Sequence, residues 1–575
     1  MEAIAIMVIS FAGYLIAYHT YGRFLSKKIF KLSADHPVPS KEQEDGRDYV
    51  PTKKGIIFGH HYTSIAGTGP IVGPAIGIIW GWMPAMVWIF FGSIFMGAVH
   101  DFGALVISLR NRGESISEVA AKYINRRVRY IFFIVIFLEL LIVIAIFGLI
   151  IAVIFNMFPE SVVPVWCEIP IALGLGWLVY QRGSNVTTAT IVAVFLMYGT
   201  VVIGHFMPCK LPDFGGIPAT GLWTVILLIY AYIASTIPVN RLLQPRDYIN
   251  AWQLFIAMGL LVVGVIASGM GGSLKIVAPA YNSALKDAPP LIPFLFITIA
   301  CGACSGFHSL VSSGTTSKQV SSEPDAQFVG YGSMLMEAGL ATLVIIAVAA
   351  GIGIAYKTAD GSVLTGIDAW NQHYASWAAS KGLASKINAM VIGSANMLSS
   401  IFIPKALGIV IIGVFIASFA GTTLDSATRI QRYVVTELFR DIKLEKLTHR
   451  YITTAFAVLT AAGLAFVSGA DGKGALKLWP MFGAVNQLLA ALALLVIAIY
   501  LRKKRPEVSY LVAAIPAIIM LGVTVWAVFI NELNFLGQHQ LLLSLINGSV
   551  LLLSIWMVIE SVITIFKPQM PLKIS

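Results

Sequence analysis

Gly59-His60-His61-Tyr62-Thr63-Ser64-Ile65-Ala66-Gly67-Thr68-Gly69 and Gly306-Phe307-His308-Ser309-Leu310-Val311-Ser312-Ser313-Gly314-Thr315-Thr316 are two ungapped copies of one pattern, Gly-x-His-x5-Gly-Thr. Each copy interrupts an apolar segment. Glycine lets a backbone leave the helix. Corresponding interruptions in two halves of a hydrophobic chain are the sequence pointer to a transporter binding site. The first copy runs into Pro70 and Pro74 among Gly73 and Gly77, which removes two backbone donors and predicts a broken rather than a kinked helix.

The surrounding composition sets the class. The chain is 57% hydrophobic and 12% charged, against about 25% charged in soluble domains. Its mean hydropathy is +0.82. Apolar runs long enough to cross a bilayer recur from end to end, and the alternating segments of a β-barrel are lacking. The fold class expected is an all-α polytopic membrane protein with about fifteen segments, near 3–24, 56–80, 82–109, 128–158, 164–180, 186–205, 218–238, 251–275, 291–317, 331–356, 401–435, 450–468, 477–502, 507–530 and 540–567. The net charge of +11 is an orientation signal, not a nucleic-acid footprint. Most of the 39 Lys and Arg follow odd-numbered segments, among them Lys27, Lys28, Arg110, Arg112, Arg126, Arg127, Arg440 and Arg502-Lys503-Lys504-Arg505. That predicts cytoplasmic odd loops and C-terminus, with the N-terminus outside. Met1-Glu2-Ala3 lacks the basic start of a cleavable leader. Four cysteines give no disulfide framework.

The two motif copies start from opposite sides of the membrane, on the second and ninth segments. The expectation is therefore an inverted repeat, 56–205 and 291–502. Residues 1–55 precede it as a helix and cytoplasmic loop, 206–290 carries two inserted helices, and 503–575 adds two C-terminal helices. The polar stretch 357–400 reads as an outer loop with a short helix around 370–379.

Candidate substrate contacts are His61, Thr63, Ser64, Gly67, Thr68 and Gly69 in the first break, and Ser305, His308, Ser309, Ser312, Ser313 and Thr315 in the second. Helix ends exposed at such breaks favour an anionic group such as a carboxylate. Interhelical packing is the plainer reading of the hydroxyls, but it does not explain the matched histidine. Ionisable groups at membrane depth are functional candidates. Here they are His100, Asp101, Glu139, Glu337 and Asp425. His100 and Asp101 diverge by about 100° on a helix and should reach different partners. Thr422, Thr423 and the carbonyls of the first break are a plausible Na⁺ site. The plainer alternative is an ordinary helix end, with Asp425 and Arg429 paired at i,i+4. No Arg or Lys is expected to be buried in the core segments. Asn486 and Gln487 read as structural amides.

GHHYTSIAGTGPIVGPAIG at 59–77, GAVHDFGALVISLRNRG at 97–113, LLQPRDY at 242–248, CGACSGFHSLVSSGTTSKQV at 301–320, FAGTTLDSATRIQRY at 419–433 and PMFGAVNQLLA at 480–490 together resemble the carbon starvation protein (CstA) family of bacterial inner-membrane transporters. The resemblance implies uptake of peptides or pyruvate when carbon is scarce. It also implies a place among the amino acid–polyamine–cation transporters, with a five-plus-five inverted repeat of the leucine-transporter type. In that fold the first helix of each half breaks around the substrate, which falls here on 59–77 and 301–317. The third helix of the second half gives hydroxyls to a sodium site, here Thr422 and Thr423. Some proton-coupled relatives replace that sodium with a lysine on the fifth helix, and segment 186–205 has none.

The function expected is a cation-coupled symporter for small carboxylates or short peptides, driven by H⁺ or Na⁺, with no enzyme activity and no cofactor. Its partners would be a small-molecule substrate and the lipid bilayer, with no nucleic acid. A channel is a different class, and an internal repeat in one chain argues against the symmetric rings of a pore. A metal-dependent protein or metal transporter is another, resting on His60-His61, His100-Asp101 and Cys304 with His308.

Overall fold

The structure is a computed structural model that describes residues 1–566 apart from 284, 286–287, 359 and 378–381. Among the described residues, thirteen helices are long and apolar enough to span a membrane. They are α1 (Glu2–Ile29), α2 (Lys54–Trp80), α3 (Trp82–Arg110), α4 (Arg126–Met157), α5 (Pro159–Val179), α6 (Val186–Phe206), α7 (Ala219–Thr236), α8 (Leu243–Met270), α10 (Gln327–Gly353), α13 (Lys405–Asp441), α15 (Met481–Lys504), α16 (Leu511–Gly537) and α17 (Leu541–Thr564). Two of the fifteen expected segments are different. Arg450–Phe466, here α14, is a shorter apolar helix. Segment 291–317, here α9, is two half-helices, Leu291–Thr298 and Gly306–Gly314. Neither half is long enough to cross alone; the chain leaves the helix over 299–305, just before the second glycine-rich phrase, which itself forms the second half.

α2 breaks in the same way, into Lys54–Ala66 and Gly69–Gly77. The turn is at Gly67, with φ of +42°, and a Cβ there would collide with Thr423 of α13. Pro70 stands in the first turn of the second half, where its missing N–H costs nothing. The two breaks touch: Gly69 lies against Cys301, and Gly302, with φ of +87°, lies beside Pro70. A Cβ at 69 would collide with the Cys301 side chain, and at 302 the positive φ and the nearby Ala341 favour glycine.

The packing falls into matching pairs. α2 lies against α8 as α9 lies against α15, and α3 meets α9 as α10 meets α2. α4 packs on α7 as α13 packs on α14, while α4 and α13 cross each other. α5 and α6 form a hairpin at the margin, and α6 exposes most of its surface.

The polar stretch 357–400 is not simply a loop. A helix, α11 (Gly366–Tyr374), is followed by α12 (Leu383–Ser399), and α12 packs against α10, α13, α8 and the second half of α2. Its Lys, Ser and Asn content hid it from a hydropathy reading, since protein rather than lipid covers it. The end of the expected short helix, 378–379, lies outside the described residues. The Tyr374 hydroxyl donates to the Ala75 carbonyl at 2.5 Å, and the Trp80 and Trp377 rings meet at a tilt with their centres 5.4 Å apart. These contacts close one face of the bundle.

Lys386 of α12 is fully buried, donating to the His373 carbonyl at 2.6 Å with its ammonium 3.7 Å from the Tyr374 ring centre. Burial pushes it down to about 7. Between about pH 7 and the ordinary lysine range the unfolded chain therefore binds more protons than the folded one, so stability rises with pH across that window. Lys386→Met should stabilise the fold at pH 6, by on the order of 2 kcal/mol after allowing for the lost hydrogen bond and ring contact, and so raise the unfolding midpoint there. The gain should disappear above pH 10. Thermal unfolding at both pH values checks this, and a gain of equal size at each would contradict it.

The opposite face carries the basic loops and is closed by charge. Asp48, in the loop after α1, meets Arg429 at 3.2 Å and Arg432 at 3.4 Å, and accepts from the Tyr433 hydroxyl at 2.6 Å. Burial alone would push its carboxyl up, but Arg432, Arg429 and the Tyr433 hydroxyl together hold it below the usual range. Glu323 makes a similar knot with Arg110 at 2.6 Å and His36.

Candidate functional site

The matched histidines come together at the centre of the bundle. His61 sits on the first half of α2, with Nε2 3.0 Å from Asp101 of α3 and Nδ1 2.8 Å from the Thr316 hydroxyl beyond α9. Ser312 of α9 donates to the other oxygen of Asp101. His308, one turn before Ser312 on α9, has its Nε2 3.3 Å from Glu337 of α10. All of these side chains are buried. One carboxylate thus stands between the two halves of the motif. Asp101 reaches His61 and Ser312, whereas its neighbour His100 makes no hydrogen bond among the described residues.

Several polar atoms here have no hydrogen-bond partner among the described residues: both nitrogens of His308 and of His100, both oxygens of Glu139, and Oε2 of Glu337. An unpartnered polar atom at this depth costs free energy, so its presence marks a place for a polar ligand or a proton.

The other expected contacts divide. Ser64 reaches Ser426 of α13 at 2.9 Å and Asp247 of α8 at 3.4 Å. Ser305 joins Asn486 of α15, whose side chain also caps the Phe307 N–H at 3.0 Å. Thr63, Ser309, Ser313 and Thr315 turn back to carbonyls of their own helices. The Thr68 carbonyl starts the second half of α2 by accepting from Val72, and Gly67 and Gly69 provide close approach.

Thr422 and Thr423 donate to the Thr63 and Ser64 carbonyls, each at 3.2 Å. The hydroxyls thus face the first break, as the sodium expectation requires. Beside them, however, lies a charge that the sequence reading excluded. Arg246 of α8 is buried against α13 at Gly421, where any Cβ would strike the guanidinium. Its partner is Asp425, which also accepts from the Tyr230 hydroxyl at 2.8 Å. Glu168 of α5 and Asp247 complete the surroundings. The expected absence of buried Arg and Lys is corrected: Arg246, Arg429 and Lys386 are all buried. The alternative reading of Asp425 and Arg429 as a helix-end pair does not hold, since each residue pairs with a partner on another segment. Residues 239–250 had read as a polar connection, yet α8 begins at Leu243 and carries Arg246 and Asp247 inside. Asp247 pairs with His60, so the two neighbouring histidines hold separate carboxylates.

Cys301, His308 and Glu337 place one ligand atom each within 4.8 Å of one another. This thiol, imidazole and carboxylate suit a borderline-soft divalent cation. The thiol is that of Cys301 rather than the expected Cys304.

Two broken helices crossing at a buried set of ionisable groups, in a bundle of membrane-length helices, define a membrane transporter, and relatives agree. The chain belongs to the carbon starvation protein CstA family, which it matches over residues 2–527. It is 33% identical to the peptide transporter CstA of Campylobacter jejuni, covering 92% of this chain and 80% of that one. It is 31% identical to the pyruvate/proton symporter BtsT of Escherichia coli, with 92% and 81% covered. Among solved structures, a manganese transporter of Eremococcus coleocola aligns over 91% of this chain and 98% of its own at 13% identity, with a TM-score of 0.47.

Proposed function

We propose that the chain is a proton-coupled symporter that imports small carboxylates such as pyruvate, or short peptides, across the bacterial inner membrane. The observation that carries this reading is Asp101 held between the two copies of the motif, by His61 of the first and Ser312 of the second, with the second copy's His308 beside Glu337. A substrate carboxylate entering beside the Asp101 carboxylate brings like charge into a closed, low-dielectric site. A proton taken up on the histidine–carboxylate set offsets that charge, so substrate and proton favour each other's binding. Arg246 supports H⁺ over Na⁺, because its guanidinium already supplies positive charge beside Thr422 and Thr423.

The matched packing supports an inverted repeat of α2, α3, α4, α7 and α8 with α9, α10, α13, α14 and α15. The inserted pair is then α5–α6, not the helices within 206–290, and the fifth helix of the first repeat is α8. The basic loops put that face in the cytoplasm, with the N-terminus outside.

Uptake of labelled pyruvate and of a labelled dipeptide into proteoliposomes tests the reading, with pH and Na⁺ gradients imposed separately. Accumulation driven by the pH gradient alone, and lost in His308→Ala, is expected. Accumulation driven only by Na⁺ would refute proton coupling. No accumulation under either gradient, together with stoichiometric metal in the purified protein, would favour a metal-linked role at Cys301, His308 and Glu337.

A further inference from the structure

Away from the transport site, a cavity of 570 Å³ opens on the face of the basic loops. Four separate connections build it: Asp45, Gly46 and Arg47 after α1, Gln181 after α5, Pro238, Asn240 and Arg241 before α8, and Arg450 at the start of α14. Leu173, Gly176 and Trp177, from the last turns of α5, form the remaining wall. The frame is tied together by the Val239 N–H, which donates to the Arg47 carbonyl at 3.1 Å.

Three arginines face one carboxylate. That carboxylate is already engaged, since Oδ1 of Asp45 accepts the N–H groups of Arg47, Asp48 and Tyr49 at 2.8, 2.9 and 2.9 Å. Among the described residues the guanidinium groups of Arg47 and Arg241 have no hydrogen-bond or ion-pair partner, and both residues are exposed. Guanidinium groups match the paired oxygens of a phosphate. Asn240 is also in the lining, and among the described residues its buried Oδ1 has no partner, which leaves an acceptor unused there.

The apolar wall decides between a soluble phosphate and a lipid. Leu173 and Trp177 are exposed on a membrane-spanning helix, 42% and 45% accessible, at its end on this face. Arg182 stacks on Trp177 with its guanidinium 4.7 Å from the ring centre. An indole at a helix end beside basic groups is the usual arrangement at a membrane–water interface. We propose that this cavity binds the headgroup of an anionic glycerophospholipid. Arg47, Arg241 and Arg450 hold its phosphate, Asn240 accepts from a headgroup hydroxyl, and Leu173 and Trp177 lie along the start of its acyl chains.

The test uses full-length protein in mixed micelles of phosphatidylglycerol and zwitterionic lipid. Bound lipid is counted by native mass spectrometry and stability is read by thermal unfolding. Phosphatidylglycerol should be retained by the wild type and raise its unfolding midpoint. Arg241→Ala combined with Arg450→Ala should weaken retention about tenfold or more. The unfolding midpoint of that variant in zwitterionic lipid alone should match the wild type. Arg241→Glu is the second variant should the first fail to fold, with the same expected loss. Retention unchanged in a folded variant overturns the proposal. So does equal stabilisation by inorganic phosphate or glycerol 3-phosphate, which would make the cavity a site for soluble anions.

Discussion

Asp101→Asn is expected to lower pH-driven accumulation at least about 100-fold, the range over which a positioned proton-transferring group acts, while exchange of labelled for unlabelled substrate continues. The amide keeps the size of the side chain and a carbonyl oxygen for the Ser312 hydroxyl or for His61. It removes the charge that makes a proton on either histidine favourable. Binding and rocking of the two halves therefore survive, whereas the energetic link between proton and substrate does not. Parallel measurements of accumulation and exchange in proteoliposomes separate these effects. Loss of both would make Asp101 a structural group, and retention of full accumulation would remove it from the coupling path.

The second large effect is on stability. Arg246→Met should destabilise the protein by about 3–5 kcal/mol, the usual result of removing one partner of a buried ion pair. It leaves Asp425 facing Asp247 and Glu168 without a neutralising group. Arg246→Met combined with Asp425→Asn should recover most of the loss, because the uncompensated charge goes with its partner. Thermal unfolding of the two single variants and the double completes the cycle. Additive losses would mean that Arg246 and Asp425 are not energetically coupled.

How far these features were legible follows from what each depends on. The break in α2 could be read because glycine and proline act locally, whereas in α9 the repeated histidine marked the right helix but not the place of its turn, which falls at 299–305 before the phrase. Asp101 could be read because a carboxylate within an apolar run has few innocent explanations. Arg246 could not. In LLQPRDY the charges lower the local hydropathy, so the stretch resembles a connection between spans, and only the fold shows α8 starting there. The family phrase had flagged those residues without supplying a place for them. Asp425 and Arg429 have good i,i+4 spacing, yet tertiary partners outcompete a pairing that is worth only tenths of a kcal/mol on a helix. α12 was missed because hydropathy detects burial in lipid, while its cover is α2, α10 and α13.

The two closures described above are made of different materials. Asp48 with Arg429 and Arg432 seals one face, whereas Tyr374, Trp80 and Trp377 seal the other. Parting the ions returns them to water, which hydrates them and, with dissolved salt, screens what attraction is left. Parting the aromatic seal exposes apolar surface, whose burial weakens on cooling. The two halves of a transport cycle therefore answer to different variables, ionic strength for one and temperature for the other. Whichever opening limits turnover would then change with growth conditions, without any change in the site between them.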